Sequence, residues 1–142
     1  MSGPAQSPSN APPIEIFDPE ECRRRLRAGG VGRIAMRGEH PEDAPELRPV
    51  NFALRDDRLV IRTGDGTILT AARRGEAASF EIDGIDPFEH TGWSVIVAGR
   101  LGELAAGDVS LRAWASGRKE NLVGLSLERV TGMRIPPGRG NR

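Results

Sequence analysis

The stretch from Arg48 to Gly75 constrains the fold of this 142-residue chain more than any other part of its sequence. It contains two runs, Pro49 to Arg55 and Arg58 to Thr63, whose leucine, valine and isoleucine side chains favour β-strands. Asp56 and Asp57 separate the two runs and suit a tight reversal of the chain. The sequence therefore predicts a β-hairpin at this point.

A glycine-bearing turn, Gly64 to Gly66, follows the hairpin, and the sequence then predicts a short helix from Thr67 to Arg74. A strand, a turn and a helix N-terminus in this order direct backbone N–H groups and the positive end of the helix dipole at an anion. Arg62, Thr63 and the Thr67 hydroxyl add donors, which predicts a phosphate-bearing cofactor at this corner. The alternative is structural: the glycines only turn the chain and Thr67 only caps the helix.

The two ends of the chain differ from the rest in composition. Residues 1–13 are rich in Pro, Ser and Ala without apolar periodicity, which predicts a disordered tail and not a secretory signal. Residues 136–142 form a second flexible end. We expect residues 14–135 to fold as one domain, because a length of this size is enough for a single core.

Charge and cysteine content narrow the class of protein. Twenty basic and twenty acidic side chains cancel, which argues against nucleic acid or an anionic membrane as the main partner. The single cysteine, Cys22, cannot form an internal disulfide, and no apolar run could span a membrane, so we expect a cytoplasmic protein. Four Phe and two Trp give the core little aromatic area, so self-association would add burial.

The first helix has a clear beginning. Asp18 suits the N-cap, Pro19 the first helical position, and Glu21 completes a capping box. The helix is expected to end near Ala28, before two glycines. It carries a run of arginines that we predict to be a solvated face. The run comprises Arg23, Arg24, Arg25 and Arg27.

Six strands joined mostly by short turns predict a mainly β fold with short helices, arranged as a six-stranded antiparallel split barrel. The alternative architecture is an open α+β sheet. Gly99 and Gly102 indicate a bulge or bend, and the last strand is expected to break near Glu128. Residues 84–91 are predicted to be an acidic loop, and residues 106–113 a short helix. The predicted strands are 31–37, 49–55, 58–63, 77–83, 92–104 and 121–135.

Six short stretches of the sequence, in their order along the chain, carry a family resemblance. On the basis of these stretches, the chain resembles the pyridoxamine 5′-phosphate oxidase-like proteins, the FMN-binding split β-barrels, over about residues 17–135. The likeness is greatest to a small bacterial branch, and it implies a homodimer with FMN in a cleft between subunits. The stretches are GVGRIAM, RPVNFAL, LVIRTGDGTIL, ASFEIDGID, GWSVIVAGR and ERVTGMRI.

The resemblance also implies which positions hold the cofactor. The hairpin strands and the turn after them border the flavin and its phosphate, and an aromatic residue of the partner chain corresponds loosely to Trp114. Ile68 departs from the family, which usually has a phosphate-binding lysine there, and the lost contact is worth about 1.5–3 kcal/mol. The implied cofactor-binding residues are Arg48, Pro49, Val50, Asn51, Arg62, Thr63, Thr67, Ile68, Trp93 and Trp114.

The resemblance implies a flavin-dependent oxidoreductase that acts on a small molecule. A flavin carries out the redox chemistry itself, so we predict no catalytic acid–base pair. His40 and His90 lack metal-ligand spacing, and Glu81 and Asp83 are expected to share a strand face without forming a site. Two alternatives remain open. One is a reductase that uses the deazaflavin F420 on the same barrel, and the other is a degenerate, non-enzymatic cofactor-binding or structural dimer.

Overall fold

Eight antiparallel strands and two short helices make up this computed structural model, which describes residues 14–64, 66–105 and 121–136. The strands are β1 (Glu15–Ile16), β2 (Gly30–Met36), β3 (Glu46–Arg55), β4 (Arg58–Thr63), β5 (Ala77–Asp86), β6 (Thr91–Glu103), β7 (Asn121–Ser126) and β8 (Arg129–Ile135). The helices are α1 (Pro19–Arg27) and α2 (Gly66–Arg73).

One long strand, β6, closes the barrel. It pairs with β7 at Leu101–Leu125 and Gly102–Gly124, which joins the two ends of the strand order β6-β5-β2-β3-β4-β7. Residues 92–98 of β6 pair with β8 instead, and β8 pairs with β1, so these strands extend the sheet beyond the barrel. The predicted six-stranded barrel is confirmed, and closure gives each of its strands a partner on both sides.

Helix α1 begins and ends as predicted. Asp18 is its N-cap, and the Asp18 Oδ1 atom accepts a hydrogen bond from the backbone N–H of Glu21 at 2.8 Å. Gly29 follows the helix with a φ of 67°, a left-handed conformation that favours glycine and stops the helix.

The arginine run on α1 is not the uniformly solvated face that the sequence predicts. The Arg25 guanidinium lies 4.4 Å from the centroid of the Trp93 ring and 4.5 Å from that of Phe17, and only 15% of its side chain is exposed. The Arg23 Nη2 atom donates to the backbone oxygen of Asp56 at 2.9 Å. Successive helical residues are about 100° apart, so neighbouring arginines cannot all point away from the barrel.

Apolar side chains fill the barrel, and α2 covers one of its ends. The Phe52 and Phe80 rings pack edge to face inside, with centroids 4.8 Å apart. Ile68, Ala71 and Ala72 form the buried side of α2. The helix begins and ends one residue earlier than predicted. Its packing against the barrel fixes the strand–turn–helix corner that the sequence singled out.

Some predicted boundaries differ, and some lie outside the described residues. The stretch 84–91, predicted to be a loop, is a turn only at residues 87–90, because β5 continues to Asp86 and β6 begins at Thr91. The predicted helix at 106–113, Trp114 and the tails at 1–13 and 137–142 fall outside the described ranges. Among the helices within those ranges, none is long and apolar enough to cross a membrane.

We predict that Gly99→Ala destabilises the barrel by about 1–3 kcal/mol. A Cβ atom at Gly99 would overlap the backbone oxygen of Ser126, which the sheet holds in place. Gly102→Ala is the matched control on the same strand, because a Cβ there meets nothing within 4 Å. Urea unfolding of both variants measures the difference, and equal free energies of unfolding would contradict the close approach at Gly99.

Candidate functional site

The predicted phosphate corner opens on a groove beside α2. β4 ends at Thr63, α2 begins at Gly66, and the groove runs between α2, the end of β2 and the start of β3. Its volume is about 540 Å³, large enough for a phosphate with a further group attached. We call it the α2 groove. It is lined by Met36, Arg37, Gly38, Glu39, Glu46, Gly66, Thr67, Thr70, Ala71, Arg74 and Glu76.

The α2 groove offers hydrogen-bond donors suited to an anion. Gly66 and Thr67 are the first two residues of α2, so their backbone N–H groups belong to the helix N-terminus. Thr67 and Thr70 both line the groove, because residues three apart share one side of a helix. Arg37 and Arg74 add two guanidinium groups. This set of donors fits the terminal phosphate of a cofactor.

Carboxylates offset much of that positive charge. Three glutamates, Glu39, Glu46 and Glu76, also line the groove. The Arg74 Nη1 atom lies 3.7 Å from Glu76 Oε2, and the Arg48 Nη1 atom lies 2.8 Å from Glu46 Oε2. An anion that approaches Arg74, or Arg48 beside the groove, therefore meets a guanidinium group that already has a carboxylate partner.

The four consecutive site residues predicted on β3 do not share one surface. Arg48 is paired in register with the buried Ile34, and Val50 is buried, so these two point towards the barrel interior and its α2 end. Pro49 and Asn51 are exposed on the outer side. Successive side chains of a strand alternate between faces, so only alternate residues can line one site.

The same alternation separates Arg62 from Thr63. Thr63 is buried, with 6% of its surface exposed, whereas Arg62 is paired in register with Asn51 on the outer side. Of the predicted cofactor-binding residues, Thr67 lines the α2 groove, and Arg48 reaches it through the lining residue Glu46. Arg62 and Thr63 both lie at the end of β4, where the sequence predicted the phosphate corner, but their side chains point to opposite faces of the strand.

Two further predicted site residues have side chains that pack against the core. Ile68 is 1% exposed and packs in the hydrophobic core, so its side chain does not face the groove. The Trp93 ring packs against the core and against Arg25, on the opposite side of β6 from Ser94, which makes it a packing residue. Trp114 lies outside the described residues.

Sequence reasoning missed several residues of the groove. Thr70 could have been found, since it follows Thr67 by three positions on a predicted helix. The spacing of Glu46 and Arg48 on one strand suggests their ion pair, but the place of Glu46 in the groove, like that of Arg37 and Glu39, depends on the pairing of β2 with β3 and on the docking of α2.

A second polar cluster lies on the outer side of the sheet. The Arg33 Nη1 atom lies 3.3 Å from Glu81 Oε1 and 3.8 Å from Asp83 Oδ1, so the two carboxylates do share a strand face. Burial and the neighbouring Asp83 carboxylate raise the pKa of Glu81 to about 7, and Arg33 offsets only part of that rise. Within the described ranges, no group of three or more histidine, cysteine or acidic side chains could hold a metal ion.

Comparisons with known proteins agree with this architecture. The sequence model of the pyridoxamine 5′-phosphate oxidase family matches residues 18–134. An uncharacterized protein of Mycobacterium tuberculosis is 29% identical over 140 residues, which cover 91% of this chain and 90% of that protein. The structure of the FAD-binding protein from Mycobacterium smegmatis is 27% identical, has a TM-score of 0.69, and the match covers 86% of this chain and 98% of that one.

A more distant structure shows the same fold. It is an FAD-binding protein from Mesorhizobium loti, which is 20% identical with a TM-score of 0.68. The match covers 85% of this chain and 96% of that protein. Together with the family match, these structures confirm the expected barrel and the family resemblance.

We predict that Glu81→Gln flattens the pH dependence of stability between about pH 4.5 and 7. The folded protein holds the Glu81 proton more tightly than the unfolded chain, where the pKa is near 4.5, so stability falls as the pH rises through this range. Urea unfolding from pH 4.5 to 8 measures the slope. Glu103→Gln is the control, because Glu103 also pairs with an arginine at 3.3 Å but lies elsewhere. Equal slopes in Glu81→Gln and the unmodified protein would contradict the raised pKa.

Proposed function

We propose that this chain, which belongs to the pyridoxamine 5′-phosphate oxidase family, binds FMN with its phosphate in the α2 groove. The observation that carries the proposal is the set of anion donors at the start of α2, where Gly66, Thr67 and Thr70 line a groove of about 540 Å³. The FAD-binding protein from Mycobacterium smegmatis, at 27% identity, supports a flavin as the class of ligand.

Each donor in the groove has a distinct role in holding the phosphate. The backbone N–H groups at Gly66 and Thr67 face it with the positive end of the α2 dipole. The hydroxyls of Thr67 and Thr70 donate further hydrogen bonds, and Arg48 supplies charge from β3. Arg74, at the end of α2, borders the same groove and supplies a second cation where the family's lysine is missing.

We infer that the protein is an oxidoreductase that acts on a small molecule. When bound, the flavin supplies hydride or electron transfer, and the protein contributes binding and orientation. A specific observation also favours the non-enzymatic alternative. Ile68 is committed to the core and three glutamates line the groove, so the site has less positive charge than the family pattern provides.

Titration of the purified protein separates these functions. We expect FMN to bind more tightly than riboflavin, because the donors of the groove are placed for a phosphate. Preference for F420 over both flavins would replace the proposal with a deazaflavin-dependent reductase. Tighter binding of FAD than of FMN would replace FMN with the dinucleotide flavin as the proposed ligand. If no flavin binds, the remaining alternative is a non-enzymatic structural dimer.

We predict that Arg48→Gln weakens FMN binding about five- to tenfold and leaves riboflavin binding unchanged. The expected loss is smaller than that of an isolated charged hydrogen bond, because Arg48 already pairs with Glu46. Arg55→Gln is the matched control at the other end of β3, beside the hairpin turn. Flavin fluorescence quenching gives the dissociation constants, and an equal loss in both variants would contradict a phosphate contact at Arg48.

We also propose that the protein is a homodimer that associates through the outer side of its sheet. Register places exposed apolar side chains of six strands on this outer side. Large exposed apolar surfaces of this kind mark protein interaction sites. The side chains are those of Ile16, Val31, Leu47, Ile85, Ile96 and Ile135.

We predict that Leu47→Asp raises the dissociation constant of the dimer by about tenfold or more, because a carboxylate would be buried in an apolar contact. Leu47 is 63% exposed in the single chain, so the change should not affect folding. Phe88→Asp is the control, since Phe88 is 92% exposed in the turn between β5 and β6 and lies off the sheet. Sedimentation equilibrium measures both, and a monomeric unmodified protein would contradict the dimer.

A further inference from the structure

We propose that Glu46 competes with the cofactor phosphate for Arg48 and thereby sets how strongly the α2 groove prefers a phosphate-bearing flavin. This inference rests on the proposed function and concerns the regulation of the same site. It assigns a role in specificity to a carboxylate that no motif in the sequence marks.

The geometry ties the two side chains together on β3. Glu46 and Arg48 are two residues apart, so they point to the same side of the strand. The Glu46 Oε2 atom lies 2.8 Å from Arg48 Nη1, with 38% of the Glu46 side chain and 33% of the Arg48 side chain exposed. The distance is that of a charge-assisted hydrogen bond, and a partly exposed pair of this kind can open to admit another anion.

Glu46 also stands in the groove itself. It is paired in register with Met36, and both residues line the α2 groove together with Gly66 and Thr67. The Glu46 carboxylate therefore lies beside the donors proposed for the phosphate. A phosphate that reaches Arg48 either displaces this carboxylate or remains close to it, and both outcomes weaken binding by charge repulsion or by loss of the ion pair.

Two other cations, Arg37 and Arg74, line the groove. Arg74 has its own carboxylate neighbour, since its Nη1 atom lies 3.7 Å from Glu76 Oε2. The Arg48–Glu46 contact is closer than this one, at 2.8 Å, so a change at the Glu46 carboxylate acts on Arg48 directly. Replacing that carboxylate by the amide of the same size removes its charge and keeps its shape.

The experiment compares FMN with riboflavin, which lacks the phosphate, on the full chain. We expect Glu46→Gln to raise the ratio of FMN affinity to riboflavin affinity about two- to fivefold, the size of a partly exposed ion pair. Glu103→Gln is the matched control, because it removes one carboxylate from an arginine pair outside the groove. An unchanged or lowered ratio in Glu46→Gln, or an equal rise in both variants, would overturn the inference.

A second variant shows whether Glu46 acts through Arg48. In a protein that already carries Arg48→Gln, we expect Glu46→Gln to raise the ratio of FMN affinity to riboflavin affinity by a smaller factor than it does alone. A general effect of charge or folding would give the same factor in both proteins, and that result would also overturn the inference. If the unmodified protein binds neither flavin, the proposed function fails and this inference fails with it. If FMN binds and Glu46→Gln leaves the ratio of FMN affinity to riboflavin affinity unchanged, only the inference is overturned.

Discussion

The pairing of one edge of β6 with two different strands is the constraint on which the rest of the structure depends. Its residues 92–98 pair with β8, and its residues 101–103 pair with β7. The change of partner requires a close approach between Gly99 and the backbone of Ser126, which only a residue without a Cβ atom permits. β7 in turn pairs with β4 and places Asn121 beside Thr63. Barrel closure therefore fixes the end of β4, where the corner begins.

The helix after that corner illustrates how packing and binding compete for the same short segment. α2 has only eight residues, and three of them are buried to cover the end of the barrel. Ile68, Ala71 and Ala72 commit one side of the helix to packing, so their side chains add no charge to the groove. The helix N-terminus and the arginines of neighbouring elements therefore supply the attraction for an anion.

The sequence was sufficient for the features that local chemistry determines. The hairpin at Asp56, the N-cap at Asp18 and the break before β8 all follow from short-range rules, and the structure confirms them. The groove was only partly predictable, because Glu46 and Arg37 meet α2 through strand pairing and docking. A family motif written as consecutive residues also hides the alternation of a strand, which sends Arg62 and Thr63 to opposite sides.

That alternation gives β3 two separate roles at once. Its inward residue Glu46 lines the groove and pairs with the inward Arg48, whereas Leu47 and Pro49, which alternate with them along the strand, lie on the outer side of the sheet. If the outer side is the subunit contact that we propose, ordering of β3 by association also orders the ion pair that borders the groove. The two surfaces are the two faces of one strand, so a one-residue shift in the pairing register of β3 would place the side chains of each surface on the other. Cofactor binding and subunit association would then be coupled through the register of a single strand.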